Sequence, residues 1–138
     1  MVKSVVQQEP TGCGIASVAA IAGLSYARTK AIAGSLGISA HDERLWSGTA
    51  HVRGLLGHLG VKAGTSEHPF RSWESLPDLA LLSIKWHLEK GRPFWHWVVF
   101  VRDVRGARVL DPKKSLRRNV RTDFGRMKPK WFIPIVNE

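Results

Sequence analysis

The sequence TGCGIASVAAIAG occupies residues 11–23 and decides how the rest of the chain is arranged. Thr11 or Gly12 can cap a helix that runs over Cys13–Ala22, and Gly23 can end it. The side chains of this helix are small or aliphatic in nearly every direction. A helix that is apolar all round lies in the middle of a core. We therefore expect the other elements to pack around it.

The first half of the chain continues in a helical pattern, and the second half changes to strands. Ser25 can cap a second helix over residues 26–36, which Gly37 ends, and a third helix is predicted over residues 50–59. Apolar, β-branched and aromatic runs predict strands at residues 61–64, 79–86, 95–102, 107–110 and 131–136. Pro134 favours an edge position for the last strand. Helices followed by strands predict an α+β fold with a helical layer on an antiparallel sheet.

The length and composition are those of one globular domain, which we place at residues 1–138. Of the 138 residues, 43% are hydrophobic and 23% are charged, so disorder is not expected. The single cysteine excludes an intramolecular disulfide bond and favours a reducing compartment.

The sequence shows neither a membrane segment nor a signal peptide. No apolar run reaches the roughly 18 residues that a transmembrane helix needs. The apolar stretch at residues 14–24 follows polar residues rather than a basic region, which argues against a signal peptide. We therefore expect a cytoplasmic protein, and export by a leaderless route stays open. The sequence gives no indication of the oligomeric state.

Positive charge is concentrated in one segment. Residues 113–130 carry eight basic side chains against one acid, Asp123, and so supply +7 of the net charge of +10. Such a face attracts anionic partners, including acidic peptides and nucleic acid. The histidines outside this segment show no tight metal-ligand spacing, so we expect no metal site.

Cys13 is the candidate nucleophile. A thiolate is the reactive form of cysteine, and a helix N-terminus stabilises it because the exposed amides present partial positive charge. Gly12 and Gly14 flank the cysteine and leave room for a substrate backbone to approach the sulfur. The alternative is a small buried residue in an alanine-rich helix.

His96 and Asp111 are the candidate base and the group that orients it. If their segments form a hairpin that turns near residues 103–104, residues whose numbers sum to about 207 face each other, as these two do. A carboxylate on one ring nitrogen fixes the tautomer and leaves the other nitrogen for the thiol. Alternatively, His96 is a core histidine and Asp111 forms a turn before Pro112. A shift of one residue in the register would separate them.

Attack of a thiolate on a carbonyl carbon places negative charge on the carbonyl oxygen, and donors must already point at that oxygen. The backbone N–H of Cys13, at the helix start, is one candidate donor. The side-chain amide of Gln7 or of Gln8 is a second. The residues alone leave the choice between the two glutamines open.

Taken together, these stretches resemble the C39 family of papain-like cysteine peptidases. The resemblance rests on Gln7, CGIAS at residues 13–17, HWVV at 96–99 and VLDP at 109–112, in the order of the family. It implies a papain-like α+β domain with the nucleophile at a helix N-terminus. It also selects Gln7, six residues before the cysteine, as the oxyanion donor. Known members cut leader peptides after a double glycine and are fused to transporters. This chain stands alone without a transporter portion, so leader cleavage is not carried over.

We expect a hydrolase that cleaves a peptide or isopeptide bond in a peptide or protein substrate, through an acyl-enzyme on Cys13 and without a cofactor. A deamidase or acyltransferase, acting as an effector or toxin with the same three residues, is the first alternative. The second is a non-enzymatic module that binds peptides or nucleic acid through the basic residues 113–130.

Overall fold

The computed structural model describes residues 2–136. In that part of the chain, three α-helices and two short 3₁₀ helices accompany an antiparallel sheet. The α-helices are α1 (Cys13–Ala22), α2 (Tyr26–Ser35) and α3 (Ala50–His58), and the 3₁₀ helices are Glu43–Trp46 and Phe124–Arg126. The predicted α+β class is confirmed, and each predicted helix is present with its C-terminal end within one residue of the expected position.

The sheet has six strands in the described part of the chain. They are β1 (His68–Pro69), β2 (Leu79–Glu89), β3 (Arg92–Asp103), β4 (Gly106–Leu110), β5 (Val120–Arg121) and β6 (Trp131–Pro134). Their order across the sheet is β1-β6-β2-β3-β4-β5. The long hairpin of β2 and β3 therefore forms the middle of the sheet.

Helix α1 is central, as its sequence predicts. It packs on β3 and against both other α-helices. Gly23 ends the helix in the left-handed conformation, with φ 73°, which glycine adopts without strain. The residues from Cys13 to Ala20 are buried. The all-round apolar character of α1 thus corresponds to contact with protein on all sides.

Alternation along β3 divides the core between the two faces of the sheet. Trp97, Val99 and Val101 belong to the cluster that contains the residues of α1. Val98 and Phe100 belong to a second cluster on the opposite face, which is covered by residues from the loops rather than by an α-helix. Both faces of the central hairpin are therefore buried.

An irregularity interrupts the pairing of β2 with β3. The register shifts between Ile84 and His87, so that Lys85 and Trp86 together face the single residue Trp95. This is a β-bulge, and the backbone of Lys85 adopts a φ of 55°, a conformation that residues other than glycine rarely take. The bulge lies directly beside the position of His96.

Two strand predictions are wrong in detail. The segment 61–64 forms only an isolated bridge between Ala63 and Ile135. Strand β6 is not at the edge, since it pairs with both β1 and β2. Ile135 donates its N–H to Leu79 on β2, so the nitrogen of Pro134 faces away from β2, toward Gly64, whose carbonyl accepts a hydrogen bond from Arg53 instead. The two short strands β1 and β5 were not predicted.

Candidate active site

Cys13 is the first residue of α1, where no side chain caps the helix. The N-cap is Gly12, and the hydroxyl of Thr11 donates to the carbonyl of Ala40 instead of accepting from the helix. The first helical bond runs from Ala16 N to Gly12 O, at 2.9 Å. The first-turn amides thus have no side-chain partner and lend their partial positive charge to the sulfur.

The sulfur of Cys13 lies where β4 has stopped pairing with β3. The pairing ends at Val99 and Leu110, so earlier residues of β3 have no partner on that side. The N–H of Trp97 points into this gap and donates to Cys13 Sγ at 3.5 Å. The sulfur therefore occupies the acceptor position that a continuing strand would have filled.

His96 and Asp111 are in contact, although the predicted register is wrong. The pairs Val99–Leu110 and Asp103–Gly106 show that facing residue numbers sum to 209 rather than 207. Because the error is an even number of residues, both side chains remain on one face of the sheet. They are diagonal neighbours, and His96 Nε2 lies 2.7 Å from Asp111 Oδ1.

Asp111 is almost fully buried and accepts three hydrogen bonds. Its Oδ1 accepts from His96 and from the backbone N–H of Lys113 at 3.1 Å, and its Oδ2 accepts from Arg121 Nη1 at 2.8 Å. Burial alone would raise the pKa of this carboxyl, but the hydrogen bond with His96 and the other donors lower it to about 2. Asp111 is therefore ionised at neutral pH.

His96 has 15% of its side chain exposed. Burial alone would lower its pKa, but hydrogen bonds with Asp111 and with Cys13 outweigh burial and raise the pKa to about 9. Because Nε2 faces Asp111, Nδ1 is the ring nitrogen that remains for the sulfur. The imidazole can thus hold a proton taken from the thiol at neutral pH.

Gln7 is buried beside the same site. Its backbone N–H donates to the carbonyl of Pro112, at 2.9 Å, which ties the segment before the cysteine to the residue after Asp111. Its side-chain Nε2 donates to the carbonyls of Glu9 and Pro10, at 2.9 and 3.0 Å, whereas Oε1 has no hydrogen-bond partner. Both amide hydrogens are therefore directed at backbone carbonyls in this structure.

The glycines that flank Cys13 serve internal packing. A Cβ on Gly12 would collide with the hydroxyl of Tyr26, and a Cβ on Gly14 would collide with Nε2 of His51. Internal packing, rather than room for a substrate, is therefore the physical reason for these two glycines. They let α2 and α3 approach the start of α1.

Cys13 is fully buried, and it lines neither of the two cavities that open at His96. We call the larger one, of about 410 Å³, the lysine cavity, and its lining includes Gln7, Lys85, Lys113 and Lys114. The smaller one, of about 250 Å³, is the aromatic cavity, lined among others by Trp46, Phe94 and Trp95. His96 and Lys85 line both cavities. The sulfur is thus reached only when groups above it move.

Four contributors to the site were not predicted from the sequence. Arg121 holds Asp111 from β5, the N–H of Trp97 binds the sulfur, and the bulge at Lys85 shapes the cleft. The side chain of Asn119 also donates to the backbone carbonyl of Asp111 at 2.8 Å. Arg121 lies within the basic segment 113–130, but its spacing from Asp111 gives no signal in the sequence.

The basic segment does not form one uniform face. Lys113 and Lys114 line the lysine cavity, whereas Arg117 and Arg118 line a separate cavity of about 680 Å³. Arg121 is engaged by Asp111 and Asp123. The segment therefore divides into a part at the candidate active site and a part away from it.

No model of a known protein family matches the chain, and no curated protein is significantly similar to it. Within residues 2–136, no helix is long and apolar enough to cross a membrane. In the same range, no cluster of three or more histidine, cysteine, aspartate or glutamate side chains is arranged to hold a metal ion.

Proposed function

We propose that the chain is a papain-like cysteine hydrolase, similar to the C39 peptidases, that cleaves a peptide or isopeptide bond. The observation that carries the proposal is the His96–Asp111 pair next to the sulfur at the start of α1. His96 Nε2 lies 2.7 Å from Asp111 Oδ1, and the following residue, Trp97, donates its N–H to Cys13 Sγ at 3.5 Å. Cys13 is also among the groups that raise the pKa of His96. An activated thiol with a positioned base is the arrangement that nucleophilic catalysis requires.

In the proposed reaction, Nδ1 of His96 takes the thiol proton and Cys13 Sγ attacks the carbonyl carbon of the substrate. The carbonyl π-electron pair moves to oxygen and returns as the C–N bond breaks. His96 gives its proton to the leaving amine, which leaves a thioester on Cys13. Water then attacks the thioester, again with His96 as base, and the acid and free thiol are released. Asp111 stabilises the imidazolium in both steps.

The Cys13 backbone N–H is the first proposed donor to the oxyanion, and Gln7 is the second. Gln7 can serve only if one of its Nε2 hydrogens leaves the carbonyl of Glu9 or Pro10 and turns to the substrate oxygen. A negatively charged oxygen is a stronger acceptor than a neutral carbonyl, which favours that exchange in the transition state.

The test is covalent labelling with a peptide that carries a cysteine-directed electrophile, followed by intact mass and peptide mapping. One adduct on Cys13 is expected in the folded protein, and none in Cys13→Ser. Labelling in urea is the control for intrinsic reactivity. An adduct that forms in urea but never in the folded protein would mean that the buried sulfur is a core group, and the proposal would fail.

Product mass distinguishes the proposed hydrolysis from the other acyl chemistries. Peptide-bond cleavage yields two fragments whose combined mass exceeds the substrate by one water. Deamidation leaves the chain intact and exchanges an amide for an acid, and acyl transfer joins the acyl group to a new amine. Two fragments that depend on Cys13 support the proposal, whereas either other product would replace hydrolysis with that chemistry.

A further inference from the structure

The lysine cavity carries positive charge that the protein itself does not neutralise. Lys85, Lys113 and Lys114 line it, and none of them forms an ion pair with any residue in the described range 2–136. The acid in its lining, Glu9, is already engaged by Lys30 at 2.8 Å and by the hydroxyl of Tyr26. An anionic group that enters this cavity would therefore meet lysines that form no ion pair within residues 2–136, although the buried carboxylate of Asp111 acts on Lys85 from nearby.

The bulge in β2 places two of these cations side by side. Lys85 is held at a φ of 55° and lies close enough to Lys113 for their amines to interact. Burial first, and then the charge of Lys113, lower the pKa of Lys85. Because two like charges that line one cavity repel each other, a carboxylate that enters between them would relieve this repulsion and be attracted to both lysines.

The aromatic cavity on the other side of His96 has a different character. The rings of Trp46, Phe94 and Trp95 line it. Aromatic walls of this kind favour an apolar side chain, because apolar surface of both the ring and the side chain is then buried. The cleft thus presents Lys113 and Lys114 in one cavity and aromatic rings in the other, while Lys85 and His96 line both.

We propose that this cleft takes a peptide segment with an acidic side chain in the lysine cavity and an apolar side chain in the aromatic cavity. The inference rests on the proposed function, because it names the substrate class of the same site. A peptide is favoured over nucleic acid because the lysines converge in one cavity at His96 rather than along a groove. Arg117 and Arg118, which a long anionic backbone would also need, line a different cavity.

The experiment measures binding to Cys13→Ala, which keeps the cleft but cannot react. The probe is a short, C-terminally amidated fluorescent peptide with glutamates next to leucine, together with the same peptide carrying glutamines. We expect roughly tenfold weaker binding of the glutamine peptide, and a similar loss for the glutamate peptide with Lys113→Gln/Lys114→Gln. Lys128→Gln, an exposed charge outside the cavity, is the matched control and should leave the affinity unchanged.

Equal affinity for the glutamate and glutamine peptides would overturn the inference. So would a single-stranded oligonucleotide that binds more tightly than the peptide and loses affinity with Arg117→Gln/Arg118→Gln. The outcome is separable from the proposed function. Preferential binding of the glutamate peptide without any Cys13 adduct in the wild type would refute the hydrolase and keep the acidic ligand. Cleavage that shows no preference for the glutamate peptide would keep the hydrolase and refute the acidic ligand.

Discussion

A largely buried histidine and a buried one lie near the start of α1, and their surroundings give them opposite properties. His96, on β3, is hydrogen-bonded to Asp111, and, despite burial, Asp111 and Cys13 raise its pKa to about 9. His51, on α3, is 6% exposed, its Nε2 has no hydrogen-bond partner, and burial lowers its pKa to about 4, although Asp42 acts weakly the other way. One ring is built to hold a proton, and the other is held neutral.

The comparison shows that burial alone does not raise the pKa of a histidine. Desolvation acts on both rings in the same direction, because it disfavours the charged form. The difference comes from Asp111 and Cys13, which raise the pKa of His96, and Asp111 is itself held by Arg121 and the N–H of Lys113. His51 also lies close to α1, but no carboxylate is hydrogen-bonded to its ring within the described residues. Its contribution is therefore to packing against Gly14.

The largest expected effect is on the rate at which Cys13 is alkylated at neutral pH, which should differ between variants of the two histidines. His96→Asn removes the base and should slow alkylation by roughly 10²–10⁴-fold. His51→Asn should leave the rate within about threefold, because its neutral ring exchanges no proton with the sulfur. The readout is the second-order rate constant with a small electrophile. Equal losses in both variants would show that the effect is structural rather than chemical.

The next effect concerns the group that distinguishes the two rings. Asp111→Asn should reduce the free energy of unfolding by about 3 kcal/mol or more, because it leaves Arg121 without its buried carboxylate. Asp123→Asn, which removes the exposed partner of the same arginine, should cost less than about 1 kcal/mol. Urea unfolding measures both. Similar costs for the two variants would mean that Asp111 is not the anchor of the site.

The two histidines should also oppose each other in the pH dependence of stability. The pKa of about 9 for His96 lies above the ordinary 6.5, so its stabilisation is complete below pH 6.5 and is lost as pH rises through 9. The pKa of about 4 for His51 lies below 6.5, so stability falls as pH drops from 6.5 to 4.

Each contribution is on the order of 3 kcal/mol across its window. Urea unfolding at several pH values should therefore show that His96→Asn flattens the alkaline loss and His51→Asn flattens the acidic loss. Subtracting each variant from the wild type removes the contribution of the other titrating groups. If His96→Asn changed the acidic loss, or His51→Asn the alkaline loss, the assignment of each loss of stability to its histidine would be contradicted.

The smallest effect tests the packing role of His51. Gly14→Ala should destabilise the protein by about 1–3 kcal/mol, because the new Cβ collides with His51 Nε2. In the His51→Ala background the same change should cost clearly less, although the neighbouring Val52 also limits the space. Thermal or urea unfolding of the four proteins gives the coupling directly. If the free-energy costs of Gly14→Ala and His51→Ala simply added in the double variant, the contact with His51 would not be the reason for a glycine at position 14.

The elements that depend on local pattern were predictable from the sequence. Helix α1 begins and ends where its glycines and its apolar residues indicate. The facing of His96 and Asp111 was predicted with the wrong pairing, since the hairpin turn lies one residue further along than expected. The contact survives because the period of a strand is two, so a two-residue shift in pairing keeps both side chains on one face.

The parts that depend on long-range packing were not predictable. Arg121 reaches Asp111 because β5 pairs with β4, a short strand that has no signal in a basic segment. The bulge at Lys85 comes from a mismatch between β2 and β3 rather than from a glycine in the sequence. The glycines beside Cys13 were singled out for substrate access, whereas the neighbours that require them, Tyr26 and His51, are distant in the chain and were not predicted.

The most direct measurement is an NMR titration of the His96 ring in the wild type and in Cys13→Ala. Sulfur, imidazole and carboxylate acting as one unit predict an apparent pKa of about 9 in the wild type. They also predict a lower value in the variant, since the hydrogen bond and charge of Cys13 are lost. A ring that titrates near 6.5 in both proteins would contradict the coupling and, with it, the role of His96 as the base.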